Sequence, residues 1–254
     1  MRFLVIIPAR YESSRFPGKP LAKIAGVEMI VRVCQQVKKT GLPFIVATDS
    51  QKIYETVVEN GFISVITSNK HNSGTERIEE AYRLYGEEAD VIINVQGDEP
   101  FISPNQINII TDIFKKYPDT DIATLIRPFN GDYIELENPN KVKVTVDEED
   151  NALYFSRNVI PYLRGIEKSL WPEKFKFLLH IGIYAYKSAV LSEIVRLKKT
   201  SLEEAESLEQ LRWLQNGYKI KTALTEYENI GIDTPQDLER AEKYIACQKG
   251  KGNY

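Results

Sequence analysis

Three cations crowd one short stretch near the N terminus, where Arg10, Arg15 and Lys19 are interleaved with Ser13, Ser14, Pro17 and Gly18. Like charges this close repel one another unless an anion sits between them. Gly18 lets backbone approach a ligand, and Pro17 stiffens that approach. Polyphosphate binding suits the stretch; on charge alone, an ordinary solvated basic loop suits it equally. Two common phosphate loops are excluded, because no Gly-Lys-Ser/Thr follows four spacers and no GxGxxG turn is present. Further along, Gln96-Gly97-Asp98-Glu99-Pro100 closes an apolar run. Mg2+ takes carboxylate oxygens and fills its remaining positions with phosphate and water, so Asp98 is a candidate ligand there, with a plain turn acid as the alternative. Glu99 precedes a proline, which biases it to an extended conformation pointing elsewhere.

Other residues carry an open choice. Ser73 and Glu76 have capping-box spacing, which either simply starts a helix or also presents that helix's N–H groups to a ligand. Arg157 offers a planar, two-pronged fit to a carboxylate, or an ion pair with a nearby acid. His180 sits among apolar residues and by itself reads as a satisfied core histidine. His71 has no metal partner in the sequence. Glu209 and Gln210 fall on a different side of their helix from Leu208, Leu211 and Leu214, which by default means facing water. Asp233 stands at a strand end before Thr234, Pro235 and Asp237, a strong helix start in which it is either a cap or a ligand.

The elements that must hold these residues alternate. Phe3 to Ile7 is a branched apolar run of the kind buried on both faces of a parallel sheet, and a strand so near the terminus is expected at the sheet's centre. The basic loop then leaves the carboxyl end of that strand, where open α/β sheets bind ligands. Met29, Ile30, Val33, Cys34 and Val37 predict an amphipathic helix ending near Gly41. A strand over Phe44–Ala47, a helix through Val57, a strand over Ile63–Ile66, a helix from Gly74 to Gly86 and a strand over Asp90–Val95 follow in parallel-crossover order. A helix from about Pro104 to Tyr117 and a strand near Ile122–Ile126 continue the rhythm. It then breaks: Val142, Val144 and Val146 alternate with polar residues, and after the acidic turn a second strand, Ala152–Phe155, predicts a β-hairpin. One helix is expected over Leu202–Asn216, and the last few residues read as a frayed tail.

At 254 residues the chain is long enough for one large domain with an appended subdomain. Its formal net charge of −3 argues against a nucleic-acid binder that relies on phosphate neutralisation. No apolar run reaches the length that spans a bilayer, and MRFLVIIPAR lacks a small-residue cleavage site, so neither membrane span nor signal peptide is expected. Cys34 and Cys247 lie far apart with no metal spacing, which makes a reducing cytoplasm the expected compartment.

The string PARYESSRFPGKPL resembles the signature loop of the sugar-activating cytidylyltransferases, most closely those acting on 3-deoxy-manno-octulosonate (Kdo). HNSGTER, NVQGDEP, YFSR, HIGIY, ESLEQLR and the IGIDTPQDLERA segment match that family's motifs in order, from Arg2 through Leu238. The resemblance implies a Rossmann-like, open, mostly parallel sheet flanked by helices, of the nucleotidyltransferase/GT-A type. It makes residues 1–254 a single nucleotidyltransferase domain, with an antiparallel subdomain at about 140–190 that covers the sugar site and contributes to a homodimer. It assigns CTP to Ala9, Arg10, Ser13, Lys19, Ser73, Arg77, Gln96 and Asp98, and the acidic sugar to Gln96, Arg157, His180, Tyr184, Glu209 and Gln210. Mg2+ falls to Asp98 and Asp233.

The implied reaction is transfer of CMP from CTP to the anomeric hydroxyl of Kdo with release of pyrophosphate, activating the sugar for lipopolysaccharide synthesis. Arg10, Lys19, Asp98 and Asp233 would be the catalytic groups, the two cations taking up charge on the phosphates. The alternatives are a cytidylyltransferase for another acidic sugar, of the 8-amino-Kdo or sialic acid type, or a non-catalytic nucleotide-sugar sensor.

Overall fold

The computed structural model describes residues 1–12, 16–227, 231–232 and 234–250. It is a mixed α/β protein with a mostly parallel open sheet flanked by helices. The chain divides into two compact units, one of residues 1–107 with 229–254, the other of residues 108–228.

The first unit opens with β1 (Phe3–Ala9), in which Val5, Ile6 and Ile7 are fully buried. A small hairpin, β2 (Lys23–Ile24) and β3 (Val27–Glu28), leads into α1 (Met29–Lys38). Then come β4 (Phe44–Thr48), α2 (Gln51–Glu59), β5 (Ser64–Ile66), α3 (Gly74–Tyr85) and β6 (Val91–Asn94). The strands pair in the order β6, β1, β4, β5, all parallel. β1 is thus interior, as its apolar run requires, and every loop leaving a strand's carboxyl end emerges at one edge.

The helix α4 (Pro104–Lys116) leads into the second unit. There β7 (Ile122–Pro128) is followed by the short α5 (Tyr133–Leu136) and the hairpin β8 (Lys143–Val146) and β9 (Ala152–Ser156). Next are α6 (Trp171–Lys174), β10 (Leu178–Lys187), α7 (Ser188–Ile194), α8 (Ser201–Glu206), α9 (Gln210–Gln215) and β11 (Ile220–Leu224). β10 runs antiparallel to both β7 and β8, whereas β11 runs parallel to β7. The antiparallel strands β8, β9 and β10 lie within the expected 140–190. The compact unit that contains them is wider, because β7 and β11 pair inside it. Its own core gathers Phe129, Leu136, Val159, Trp171, Phe177 and Leu179. The chain ends in α10 (Pro235–Gly250), whose Ala241 and Ile245 bury with Ile232 against Ile24 and Met29 of the first unit.

The single helix expected over Leu202–Asn216 is instead two, α8 and α9, separated at Ser207, which adopts φ 51° in the left-handed region. The cause is long-range. Arg157, at the end of β9, donates from Nε to the Glu206 carbonyl at 2.6 Å and from Nη2 to the Ser207 carbonyl at 3.3 Å. A cation on the last carbonyls of a helix satisfies acceptors that would otherwise lack partners and favours ending the helix there.

Lys143 on β8 is fully buried, and its ammonium donates to the carbonyls of Asn138 and Arg157. Burial pushes its pKa down to about 8, with Glu206 opposing the shift and Arg157 adding to it. The unfolded chain keeps this proton up to about pH 10. Between these values the unfolded state binds more protons, so the penalty for burying the charge is relieved and stability rises with pH. In urea titrations, wild type should gain roughly 1 kcal/mol between pH 8 and 10 relative to Lys143→Met. A difference between the two proteins that stays constant with pH would contradict this.

Candidate active site

Three segments at the carboxyl edge of the first unit's strands build one cavity. The first is the loop after β1, which turns back on itself where the Gly18 N–H donates to the Tyr11 carbonyl at 2.9 Å. Gly18 sits at φ 70°, where a side chain would be strained, and launches the 3-10 turn Lys19–Leu21. Lys19 is thereby brought to the second segment, after β6, with its Nζ 2.5 Å from Asp98 Oδ2. Here Gly97 passes so close to β1 that a Cβ on it would stand 2.7 Å from the Pro8 carbonyl oxygen. The third segment is the N-terminus of α3. Ser73 Oγ accepts from the Glu76 N–H at 3.2 Å, and the Glu76 carboxylate reaches back to the Asn72 N–H at 2.8 Å. The expected capping box is therefore real, shifted by one residue on its return arm.

Together these segments enclose about 270 Å3. Of the residues assigned to CTP from the sequence, Ala9, Arg10, Lys19, Ser73, Arg77, Gln96 and Asp98 all line it. Ser13 and Asp233 lie outside the described residues. Ile232 donates its N–H to the Asp98 carbonyl at 3.1 Å. Among the described residues no group of three or more His, Cys, Asp or Glu gathers as a metal cage. A single carboxylate, already holding a cationic ammonium at 2.5 Å, fits a hard ion that keeps substrate phosphate and water in its other positions.

Sequence reading passed over part of the lining. His71 lines the cavity, with Nε2 2.6 Å from Glu80 Oε2 and Nδ1 3.6 Å from Glu76 Oε2. Burial pushes the Glu80 carboxyl up, but hydrogen bonds from His71 and the Ser68 N–H outweigh it and hold the group below the usual carboxylate range. The spacing of His71 to Glu76 and Glu80 was visible; that they share a loop-to-helix corner was not.

Of the residues assigned to the sugar, His180 and Tyr184 lie on β10, and Glu209 and Gln210 stand at the start of α9. His180 contacts the rings of Phe155 and Tyr184, each at a centroid distance of 5.2 Å, and lies 3.2 Å from Thr124 Oγ1. Burial pushes its pKa down to about 3, so the imidazole is neutral. Tyr184 meets Trp213 of α9 edge-on at 5.1 Å. Burial, then the neighbouring Tyr186 and Glu209, push the Tyr184 phenol well up, so it stays protonated. Gln210 Nε2 is buried with no hydrogen-bond partner among the described residues, and the buried Tyr184 hydroxyl stands beside Thr124. Glu209 is tied to Arg212 at 2.8 Å, and Arg212 in turn to Glu203 at 3.0 Å. Arg157 holds the α8–α9 turn, its Nη1 donating to the Pro139 carbonyl at 3.1 Å in addition to the bonds already described.

A parallel sheet carrying a cavity lined by Arg10, Lys19 and a helix N-terminus at its carboxyl edge is built to bind an anionic ligand such as a nucleotide. The cytidylyltransferase family profile matches residues 4–220. A curated 3-deoxy-manno-octulosonate cytidylyltransferase of Parabacteroides distasonis is 52% identical over 97% of this chain and 99% of its own. Its counterpart in Bacteroides thetaiotaomicron is 50% identical over 96% and 98%. Among solved structures, a CMP:2-keto-3-deoxy-manno-octonic acid synthetase complexed with CTP superposes with a TM-score of 0.89, at 38% identity over 98% of this chain and 100% of that one. The chain belongs to the 3-deoxy-manno-octulosonate cytidylyltransferase family.

Proposed function

We propose that this chain transfers CMP from CTP to the anomeric hydroxyl of Kdo, forming CMP-Kdo and pyrophosphate. The observation that carries the reading is the single cavity in which Arg10, Lys19, Ser73 and Asp98 meet. The α3 N-terminus and the loop after β1 hold the nucleotide, and Arg10 with Lys19 takes up charge on the α-phosphate and the departing pyrophosphate. Asp98 and Asp233 would hold Mg2+, which when bound would supply Lewis-acid charge neutralisation to the reactants. Gln96, at the mouth of β6, is assigned to both ligands.

In the second unit, the Tyr184 hydroxyl and the Gln210 amide take sugar hydroxyls, with neutral His180 and Glu209 beside them. Arg157 has two tasks: it keeps the α8–α9 turn in place and offers N–H groups outside those bonds to the sugar carboxylate. Positioning the acceptor oxygen in line with phosphorus is the main contribution of all these groups.

Pyrophosphate release from CTP and Mg2+ should appear with Kdo and be at least roughly tenfold slower with 8-amino-Kdo or a sialic acid. Comparable rates with another of these sugars would reassign the acceptor, and CTP binding without release for any of them would make the protein a sensor.

We further assign a homodimer, on the apolar side chains that the second unit leaves exposed: Ile134 at 81%, Tyr162 at 72% and Phe175 at 41%. Sedimentation at micromolar concentration should give the mass of two chains; one chain's mass would refute it. No helix is long and apolar enough to cross a membrane among the described residues, and Cys34 is a buried free thiol. Both fit the cytoplasmic compartment we assign, which recovery in the membrane fraction after cell lysis would contradict.

A further inference from the structure

Asp49 does not line the cavity, yet it ties together two of the segments that do. It stands just past the carboxyl end of β4, and its two oxygens face different ways. Oδ2 holds the Arg77 guanidinium at 2.6 Å, and Oδ1 accepts from the Tyr11 N–H at 3.4 Å. Arg77 is only 4% exposed, in the opening turn of α3, and also donates to Thr67 Oγ1 at 2.7 Å and the Ser68 carbonyl at 3.4 Å. Thr67 is anchored to β4 in turn, its N–H donating to the Thr48 carbonyl at 2.8 Å. Arg77 borders the cavity, but Nη1 and Nη2 both bond inward, to a carboxylate, a hydroxyl and a carbonyl.

We propose that Asp49 is a positioning residue for the nucleotide site. Acting through Arg77, it fixes the α3 N-terminus, and through the Tyr11 N–H it fixes the neck of the basic loop, so that both sides of the phosphate cavity share one reference point. The arrangement rests on the reading of this cavity as the CTP site. A buried guanidinium is a stiff anchor because a misplaced one would leave a charge unpaired away from water. A one-ångström drift of either segment would then separate Ser73 and Arg10 from a common phosphate chain.

The test is Asp49→Asn, which keeps the shape and removes the charge. The KM for CTP should rise roughly tenfold or more, with the KM for the sugar changed less than about twofold. The effect should be shared with Arg77: once Asp49→Asn is made, adding Arg77→Gln should change the KM for CTP little further. If Asp49→Asn fails to fold, Thr67→Val removes only the hydroxyl that Arg77 Nη1 uses, and the KM for CTP should rise a few-fold. A folded Asp49→Asn, or in its place a folded Thr67→Val, with unchanged KM for CTP overturns the proposal, even if its melting temperature drops. So do equal shifts in both KM values, or additive effects of Asp49→Asn and Arg77→Gln. Wild type that binds no CTP in calorimetry would instead sink the nucleotide reading on which this one stands.

Discussion

Asp98→Asn is expected to lower CMP transfer by roughly a thousandfold or more while the protein stays folded. The carboxylate side chain is 34% exposed but the Lys19 side chain it holds is only 12% exposed, so the melting temperature should fall while the fold persists. What disappears is the only carboxylate among the described cavity-lining residues, and with it the ion pair to Lys19. An asparagine keeps the size and one carbonyl oxygen but carries no charge to hold a divalent ion or to counter the cations across the cavity. CTP should still bind, since the basic loop and the α3 N-terminus remain. Activity within tenfold of wild type in a folded Asp98→Asn protein would remove the metal from Asp98.

Gly97→Ala should be nearly as damaging, for a steric reason. The added methyl would stand 2.7 Å from the Pro8 carbonyl oxygen and 3.4 Å from Ala9 Cβ, and the first neighbour is backbone in an interior strand, which cannot swing aside. Either β1 and the segment after β6 move apart, or Gln96 and Asp98 rotate away from the cavity. We expect a destabilisation of about 2 kcal/mol and a loss of CTP affinity of at least roughly tenfold. Chemical denaturation and calorimetry on the same preparation would read both. Wild-type affinity with wild-type stability would mean that this close approach does not exist in solution.

Much of the architecture was legible because it follows from local pattern. The branched run of β1, the alternation in β8 and the Ser73-to-Glu76 spacing each report forces acting within a few residues, and each element forms where expected. That the loops after β1 and β6 meet at one cavity was legible for a related reason: parallel topology delivers strand ends to one edge, while the choice of residues within those loops came from the family resemblance.

What escaped is what depends on partners far along the chain. The break at Ser207 needs Arg157, fifty residues earlier, to take the carbonyls that an unbroken helix would have used. The Asp49–Arg77 pair spans two elements, and nothing in ATDSQK or GTERIE marks one as the other's counter-ion. Lys143 reads as an exposed position in an alternating strand, yet two backbone carbonyls receive its ammonium in the interior.

The first unit is assembled from both ends of the chain, with α10 closing over Ile24 and Met29. On the ribosome this imposes an order. The strands β1 to β6 are synthesised first, but Ile24 and Met29 stay uncovered until α10 leaves the exit tunnel. The intervening 108–228 segment has its own strands and core and has no such wait. Nascent chains stalled before α10 should therefore be the ones that chaperones hold and proteases clear.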